Sequence, residues 1–393
     1  MKKYWKTIVI SLVIVVTISS YYIQLAWASK DEIALTLETV SGNKEELNNL
    51  MIQGSYDTGG IYRQFNLLSG SMQNQENRSF IQNLTTPYAP FPMQNYIEQH
   101  RNFMRGKGYN LSQYVEDDTR LIYATIPDTN RLNQGGFLTI QIDMLDKNTN
   151  DRTTFEVKTT TKVRYSWTNV YDVHVENEQV KILVMYYLTN GDEELHVYTV
   201  NVKNQELEDN TMIAQSKSEN SYISINFNDE IENSNYYVYQ VGEYSDETED
   251  DSSQKAESQV YVYHISTSEV EELVIPAELK PFTSSILVQD EDIILPVQSA
   301  DAIEVYRYNM EQQQWEEPVS FTIQRIVNDD QEPFIRFMDD KLYSVYQASE
   351  GYRLLIGDVR TGKSLYEGNI VNKDNVVQTG TYTMYIDQIY NLD

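Results

Sequence analysis

The stretch ILVMYYLTNGDEELHVYTVN, residues 182–201, has the pattern of two β-strands and the turn that joins them. Runs rich in β-branched and aromatic residues lie on both sides of Asn190-Gly191-Asp192, which is typical of strands. Asn-Gly is a favoured turn dipeptide, because both residues tolerate the positive φ that tight hairpin turns require. The stretch therefore predicts an antiparallel hairpin.

The second strand of this hairpin recurs along the chain. Its sequence VYTVN (197–201) is matched by VYHIS (262–266) and VYRYN (305–309), and more weakly by TIQID (139–143), IGDVR (356–360) and LETVS (37–41). Apolar partner strands are predicted before these copies at 182–188, 236–241, 292–297 and 342–346. In chain order, the copies that begin at 139, 197, 262, 305 and 356 are 58, 65, 43 and 51 residues apart. Shortening the acidic loop from Gly242 to Gln259 to an ordinary turn brings the repeat to about 50 residues.

A repeat of about 40–50 residues with about four strands is typical of a propeller blade. On these copies, most of residues 31–393 resembles β-propellers of the degenerate kind found in WD-repeat and quinoprotein-like folds. The resemblance implies an all-β fold, a β-propeller of about seven blades, closed by pairing of a strand at 382–386 with the one at 37–41. No tryptophan precedes an aspartate, so no named repeat family is matched. Two packed β-sandwiches or barrels are the competing architecture.

One short helix interrupts the strand pattern. Apolar residues near helical spacing follow Pro87, Pro90 and Pro92 and predict a helix from Met93 to Arg105. We expect this helix to lie in an insertion.

The N-terminus has the pattern of an export segment. Lys2, Lys3 and Lys6 precede 23 residues, 7–29, that contain no charged side chain, which is about the length needed to cross a bilayer. This pattern predicts residues 1–6 as a cytoplasmic n-region, 7–29 as a transmembrane anchor or signal peptide, and 30–393 as an extracytoplasmic β-propeller-like domain.

Two fates of this segment are open. Its length and the aromatic belt of Tyr21, Tyr22 and Trp27 favour a retained single-pass anchor in the cell membrane with the C-terminal domain outside. Ala26-Trp27-Ala28 also has the small-x-small pattern of a cleavage site, so secretion after cleavage near Ala28 is the alternative.

Composition limits the partners and the compartment. Asp and Glu outnumber Lys and Arg by 59 to 30, and a net charge of −29 repels phosphate backbones, so nucleic acid is excluded as an expected partner. The chain has no cysteine, which rules out disulfides and thiolate chemistry. An exported protein without disulfides fits a bacterial envelope.

No catalytic, cofactor-binding or metal-binding residue is predicted. His174, His196 and His264 lie in predicted strands, where surface or hydrogen-bonded histidines are the commoner case, and His100 lies in the predicted helix. The tyrosines at 186–187, 236–239 and 261–263 are expected to pack across strands rather than stack on sugar rings.

Two acidic segments are weak cation-site candidates. Asp146 to Asp151 begins like a calcium loop, but it has Asp where glycine is needed at the sixth position, so it predicts a hairpin turn. The run Glu247 to Asp251 is expected to be solvated.

These observations favour a non-catalytic, extracytoplasmic, membrane-anchored binding or protein-interaction module of the bacterial cell envelope. Its partners would be the membrane, through the N-terminal helix, and an envelope protein or polysaccharide. The alternative is a propeller-type hydrolase or lyase that acts on envelope polysaccharide through paired carboxylates. A calcium-stabilised structural protein is a third possibility. No cofactor is implied, and the sequence predicts no oligomeric state.

Overall fold

The computed structural model describes residues 4–28, 33–58, 62–73, 91–127, 137–162, 164–217, 221–225, 235–243, 258–289, 292–326, 332–373 and 382–392, without the side chains of residues 7, 24–28, 73, 91 and 160–162. The chain folds as two compact units. Unit 1 comprises residues 1–78, 300–302 and 321–393, and unit 2 comprises 79–299 and 303–320. The fold is all-β apart from an N-terminal helix and a few short helices, as the sequence predicts.

Unit 2 contains four antiparallel sheets, each a meander of four strands that are adjacent in the chain. The first sheet is β5 (Tyr114–Glu116), β6 (Arg120–Thr125), β7 (Phe137–Asp146) and β8 (Arg152–Lys162). The second is β9 (Tyr165–Glu176), β10 (Gln179–Leu188), β11 (Glu193–Asn201) and β12 (Glu206–Ser216). The third is β13 (Ser221–Ile225), β14 (Tyr236–Glu243), β15 (Gln259–His264) and β16 (Glu269–Leu273). The fourth is β17 (Leu287–Gln289), β18 (Asp292–Gln298), β19 (Ala302–Asn309) and β20 (Gln314–Trp315), with β21 (Val319–Thr322) paired to β19 as a fifth strand.

Neighbouring sheets of unit 2 share apolar cores, and the middle sheets bury both faces. In β10, Ile182 and Val184 belong to the core shared with the first sheet, whereas Leu183 and Met185 belong to the core shared with the third. In β14, Tyr237 and Val238 divide in the same way between the second and fourth sheets. A two-layer sandwich buries only one face of each sheet. Unit 2 is therefore a stack of sheets, and the sandwich alternative does not describe it.

The five repeat copies that set the period occupy equivalent positions. They lie in β7, β11, β15, β19 and β24, which is the third strand of its meander in every case. The hairpin at 182–201 is confirmed, with Ile182 opposite Tyr198 and Leu183 opposite Val197. Gly191 provides the positive φ of its turn, at +91°.

Unit 1 contains one nine-stranded sheet made of two meanders. The first meander is β22 (Phe334–Met338), β23 (Lys341–Ala348), β24 (Gly351–Asp358) and β25 (Lys363–Asn372), followed in the sheet by β1 (Leu35–Gly42). The second is β4 (Ser71–Gln73), β3 (Tyr62–Leu68), β2 (Leu50–Asp57) and β26 (Thr383–Asn391). Among the described residues, Thr36 and Ser71 are the one pair that joins β1 to β4, and side chains of both meanders fill one core.

Two details of the predicted closure are wrong. The strand with the copy at 37–41 is β1, which pairs with β25 as a fifth strand and not as the third strand of a meander. The C-terminal strand pairs with β2 rather than with β1. Leu50, Ile52 and Tyr56 of β2 are buried in the core, so this strand rather than the half-exposed β1 accepts the chain end.

The described strands form six four-stranded meanders, and the predicted count of about seven blades is not confirmed. A 50-residue repeat assigns some residues to a further unit. In the structure these residues belong to strands of 10–12 residues in the first two sheets of unit 2 and to a helical insertion. The insertion contains α2 (Phe91–Gln99) and α3 (Arg101–Met104), so the helix predicted over 93–105 is present as two pieces. Pro87 and Pro90 lie outside the described residues.

The N-terminal segment is helical as α1 (Trp5–Ala28). Apolar side chains from Ile8 to Ile23 are exposed on it. Over the described residues, no helix has the combined length and apolar character that a membrane crossing requires.

Candidate functional site

A cavity of about 410 Å³ lies within unit 1, at the end of the core shared by its two meanders. The two edge strands of the nine-stranded sheet, β22 and β26, both contribute lining residues. The cavity is lined by Glu332, Pro333, Phe334, Val345, Tyr346, Gln347, Tyr352, Met384, Tyr385 and Ile386. We call it the unit 1 cavity.

Strand alternation decides which side chains face the cavity. Phe334, Val345, Tyr352, Met384 and Ile386 all pack against the unit 1 core, so they share the face that looks between the meanders. By the same alternation Gln347 lies on the face of Val345.

Tyr346 and Tyr385 therefore border the cavity mainly with their backbone. The Tyr346 side chain interacts with Arg353 on the opposite face of the sheet. The Tyr385 ring packs against Tyr62, with 6.4 Å between the ring centroids.

The floor of the cavity is apolar and held in place by a hydrogen bond. Val345, Tyr352 and Met384 are 3%, 6% and 2% exposed. The Met384 N–H donates to the Tyr352 hydroxyl at 2.8 Å, which fixes the ring against the edge of β26. Tyr352 also stacks on Tyr382 with a centroid distance of 6.1 Å. A pre-formed apolar floor of this kind is typical of ligand sites.

Charge is confined to the mouth of the cavity. Glu332 is exposed, and it is the one ionisable carboxylate among the described lining residues, which include no Lys or Arg. Paired-carboxylate hydrolysis requires a second acid at about 5–9 Å. The lining of this cavity does not supply one.

The three strand histidines lie in β9, β11 and β15, as the sequence predicts. His196 is buried, with Nδ1 2.9 Å from Asn210 Oδ1 and Nε2 3.0 Å from Glu194 Oε2. His264 Nε2 is 3.1 Å from a Glu271 carboxylate oxygen. His174 is buried in β9, and His100 separates α2 from α3.

Of the two weak cation candidates, the segment Asp146 to Asp151 lies within the described residues. Asp146 ends β7, and its carboxylate accepts hydrogen bonds from the N–H groups of Asn148 and Thr149, so the predicted turn is confirmed. No group of three or more potential metal ligands occurs in the described ranges. Glu247 to Asp251 lies outside the described residues.

Most of the clustered tyrosines pack across strands, as the sequence predicts. Tyr237 and Tyr263 are buried and stacked at 5.9 Å, and Tyr239 stacks on Tyr261 at 5.5 Å. Tyr187 is different, because it stacks at 4.8 Å on Trp167, which is 42% exposed.

An ionic cluster fastens the helical insertion to the first sheet of unit 2. Lys107 Nζ is 2.6 Å from Asp143 Oδ2, with the two side chains 3% and 2% exposed, and Arg152 approaches the same oxygen at 2.8 Å. Lys107 also lies 4.0 Å above the Phe103 ring. Burial lowers the pKa of Lys107, although Asp143 partly offsets this effect. Burial would raise the pKa of Asp143, but bonds from Lys107 and Thr154 outweigh it and lower that pKa.

A second buried acid lies between the second and third sheets of unit 2. Burial raises the pKa of Asp172 to about 7, and the neighbouring Tyr237 hydroxyl only partly offsets the shift. Tyr237 belongs to the core between these sheets, so the surroundings of the Asp172 carboxyl depend on how the two sheets pack.

The sequence did not identify the unit 1 cavity. Its walls come from residues 332–352 and 384–386, and within each strand they read as ordinary core positions. One signal was available: Met384 and Ile386 alternate with exposed residues in a strand predicted to close the fold, and a closing strand brings distant residues together.

Comparison with known proteins leaves the family open. No family model and no curated protein matches the chain. The chain is similar to the β-propeller domain of the Trilobed protease from Pyrococcus furiosus, with a TM-score of 0.34 and 11% identity over 83% of each chain. It is also similar to a variant of the Synechocystis apocarotenoid oxygenase, with a TM-score of 0.33, 9% identity, and coverage of 64% of this chain and 58% of that one. An uncharacterised protein from Listeria monocytogenes gives a TM-score of 0.30 and 9% identity over 68% of this chain and 84% of that one. Likenesses at these TM-scores carry no argument about fold or activity.

Proposed function

We propose that this chain is a non-catalytic binding module of a bacterial cell envelope, held in the membrane by its N-terminal segment, with its ligand site in the unit 1 cavity. The observation that carries the proposal is the cavity itself. It combines a rigid apolar floor, a polar mouth and two sheet ends, which are the features of a recognition site.

The proposed location in the envelope rests on the sequence of the N-terminus. Lys2, Lys3 and Lys6 precede residues 7–29, which carry no charge, and basic residues remain on the cytoplasmic side of such segments. The exposed apolar side chains of α1 are compatible with a lipid environment. Retention after export makes the protein a single-pass membrane protein with residues 30–393 outside.

For the architecture, we propose that the six meanders are propeller blades. The support is local to each unit: the meanders follow the chain order in unit 2, they bury both faces where two neighbours exist, and β26 completes a meander begun by N-terminal strands in unit 1. Pairing the chain ends in one sheet is how ring-shaped repeat folds protect their edges.

The membrane orientation has a direct test, because the chain lacks cysteine. Introduce a single thiol by Lys6→Cys or by Thr361→Cys, which lies in the turn before β25, and treat intact cells with a membrane-impermeant maleimide. We expect Thr361→Cys to be labelled in intact cells and Lys6→Cys only after permeabilisation. The reverse labelling pattern refutes the proposed membrane orientation.

The binding role is tested by asking what the protein carries from its own membrane. Purify the full chain in mild detergent and identify bound molecules by native mass spectrometry, beside Ile386→Trp, which fills the unit 1 cavity. Tyr62→Trp is the control, because Tyr62 is exposed and does not line the cavity. We expect a bound species on the wild type and on Tyr62→Trp that is lost from Ile386→Trp. Equal occupancy of all three proteins contradicts the site.

A further inference from the structure

Unit 1 is the part of the fold that the chain enters directly after α1. Four residues separate Ala28, the last residue of α1, from Ile33, so the Cα atoms of these two residues are at most about 18 Å apart. Ile33 is fully buried and belongs to the unit 1 core. A bilayer that contained α1 would therefore lie close to this core.

A series of aromatic contacts joins Ile33 to the floor of the unit 1 cavity. The Ile33 N–H donates to the Tyr56 hydroxyl at 3.2 Å. The Tyr56 ring meets Tyr382 edge-on, with 6.3 Å between the ring centroids, and Tyr382 stacks on Tyr352 at 6.1 Å. Tyr352 lines the cavity. With α1 in the membrane, as proposed above, only these three rings separate the cavity from the residue at which the chain arrives from the bilayer.

The side chains that line the cavity favour an apolar ligand. Val345, Tyr352 and Met384 form its buried floor, and Phe334 and Ile386 border it half-buried. The volume of about 410 Å³ is within the range of about 300–1,000 Å³ that small-molecule sites occupy. A ligand that comes from a nearby bilayer would enter such a floor with its hydrocarbon chain, because that chain is the apolar part of a lipid.

Charge at the mouth selects the headgroup of such a ligand. Glu332 is exposed there, and the described lining residues include no Lys or Arg. The whole chain carries a net charge of −29, which attracts cations and repels anions. A headgroup with an ammonium group would meet the Glu332 carboxylate, whereas a headgroup that carries only negative charge would be repelled.

We propose that the unit 1 cavity binds a lipid from the adjacent membrane, with an acyl chain over Tyr352 and an amine-bearing headgroup beside Glu332. This inference rests on the proposed binding function and names its ligand class. Burial of the chain supplies the affinity, about fourfold for each methylene group, and Glu332 supplies the selection of the headgroup.

The experiment places the full chain in nanodiscs of a neutral galactolipid, which has no amine, together with a photoreactive amphiphile. The probes carry a diazirine at the end of the chain and are a long-chain alkylamine, the alkyl sulfate with the same chain, and a shorter alkylamine. After irradiation, peptide mass spectrometry locates the adducts on each protein. Adducts on α1 are the internal standard, because they report how much of each probe is in the bilayer.

Two variants narrow the cavity and one is their control. Ile386→Trp fills it from β26, and Gln347→Trp fills it from the half-buried end of β23, outside the unit 1 core, so loss of binding in both does not depend on one disturbed core position. Tyr62→Trp is the control, because Tyr62 is exposed and does not line the cavity.

We expect the long-chain amine to form adducts on the lining segments 332–352 and 384–386 of the wild type and of Tyr62→Trp. Ile386→Trp and Gln347→Trp should each lower these adducts at least about tenfold relative to those on α1, because each Trp displaces two or more methylene groups.

The other probes should bind less well. The shorter amine and the sulfate should each give fewer adducts on the lining segments, because the first buries less chain and the second meets Glu332 with a like charge. Glu332→Gln should remove the advantage of the amine over the sulfate. Glu350→Gln, in an exposed turn, should leave that advantage unchanged.

Four outcomes overturn the inference. Adducts on the lining segments that persist in both Ile386→Trp and Gln347→Trp move the site elsewhere, and equal adducts of amine and sulfate refute the amine headgroup. Probe adducts confined to α1, beside a bound species that native mass spectrometry finds on the wild type but not on Ile386→Trp, refute the lipid class and keep the binding function. If neither experiment finds a ligand that depends on Ile386, both the ligand class and the proposed function fail.

Discussion

Lys107 is the residue at which we expect a single substitution to lower the stability of the fold most. Its ammonium lies between the Asp143 carboxylate and the Phe103 ring, and the pair with Asp143 is almost fully buried. Lys107→Met leaves a buried carboxylate with Arg152 as its remaining charged partner. We expect the free energy of unfolding to fall by about 3–5 kcal/mol, the usual cost of breaking a buried pair, as measured by urea denaturation.

A matched control is available at an exposed pair. Lys203 Nζ is 2.7 Å from Glu178, with the two side chains 68% and 55% exposed. Lys203→Met should change the unfolding midpoint little, because exposed pairs contribute little. Equal effects of the two substitutions would show that the Lys107 cluster does not fasten the insertion.

Asp172 should make stability depend on pH. The unfolded carboxyl loses its proton near its ordinary pKa of 3.8, whereas the folded one keeps it until about pH 7. The folded state therefore binds more protons between these values, and stability falls as pH rises through this window. Asp172→Asn should remove that loss, so its advantage over the wild type should be greater at pH 8 than at pH 5 in thermal unfolding. An advantage that does not change with pH contradicts the buried carboxyl.

Single residues were predicted well where local pattern decides their role. The three histidines predicted in strands lie in strands and most of the clustered tyrosines pack across strands, because alternation within one strand already assigns them to such a surface. Glu332 and Tyr352 were not recognised. They line the cavity together with Met384, and the last strand has to be placed in the sheet before these residues come together.

At the scale of the elements, the repeated strand was the strongest sequence signal. The five copies that set the period all occupy the third position of a meander, where each strand pairs with a neighbour on both sides. The copy at 37–41 shares the letters but lies in a half-exposed fifth strand. A five-residue match cannot distinguish the two, since alternation is the same in both.

Close packing within an element gives a further prediction, at Gly357 in β24. A methyl group at this position would collide with the Phe321 ring. Gly357→Ala should lower the free energy of unfolding by about 1–3 kcal/mol through overpacking, and Phe321→Leu should restore part of the loss in the double variant.

Gly108→Ala is the control for that substitution. Its methyl group would meet only the end of the Gln113 side chain at 3.2 Å and the Tyr123 hydroxyl at 3.9 Å. A loss at Gly108 as large as that at Gly357, in the same denaturation experiment, would contradict the packing argument.

At the scale of the whole molecule, the sequence predicted the all-β class and the recurring four-strand unit, but not how the chain is divided. Dividing the chain by an average repeat length assigns every residue to a repeat unit. The helical insertion of α2 and α3 and the long strands of unit 2 depart from that average length. Pairing of the N- and C-terminal strands was correct in kind, and the partner strand was wrong by one.

The central claim is that the unit 1 cavity holds an envelope ligand in the living cell. The most direct measurement is photo-crosslinking in intact cells from p-benzoyl-phenylalanine placed at Gln347, beside the same group at Thr361 outside the cavity. The account predicts a discrete adduct at Gln347 that is absent at Thr361 and is lost when Ile386→Trp is added. Adducts that are the same at both positions, or that persist with Ile386→Trp, would contradict it.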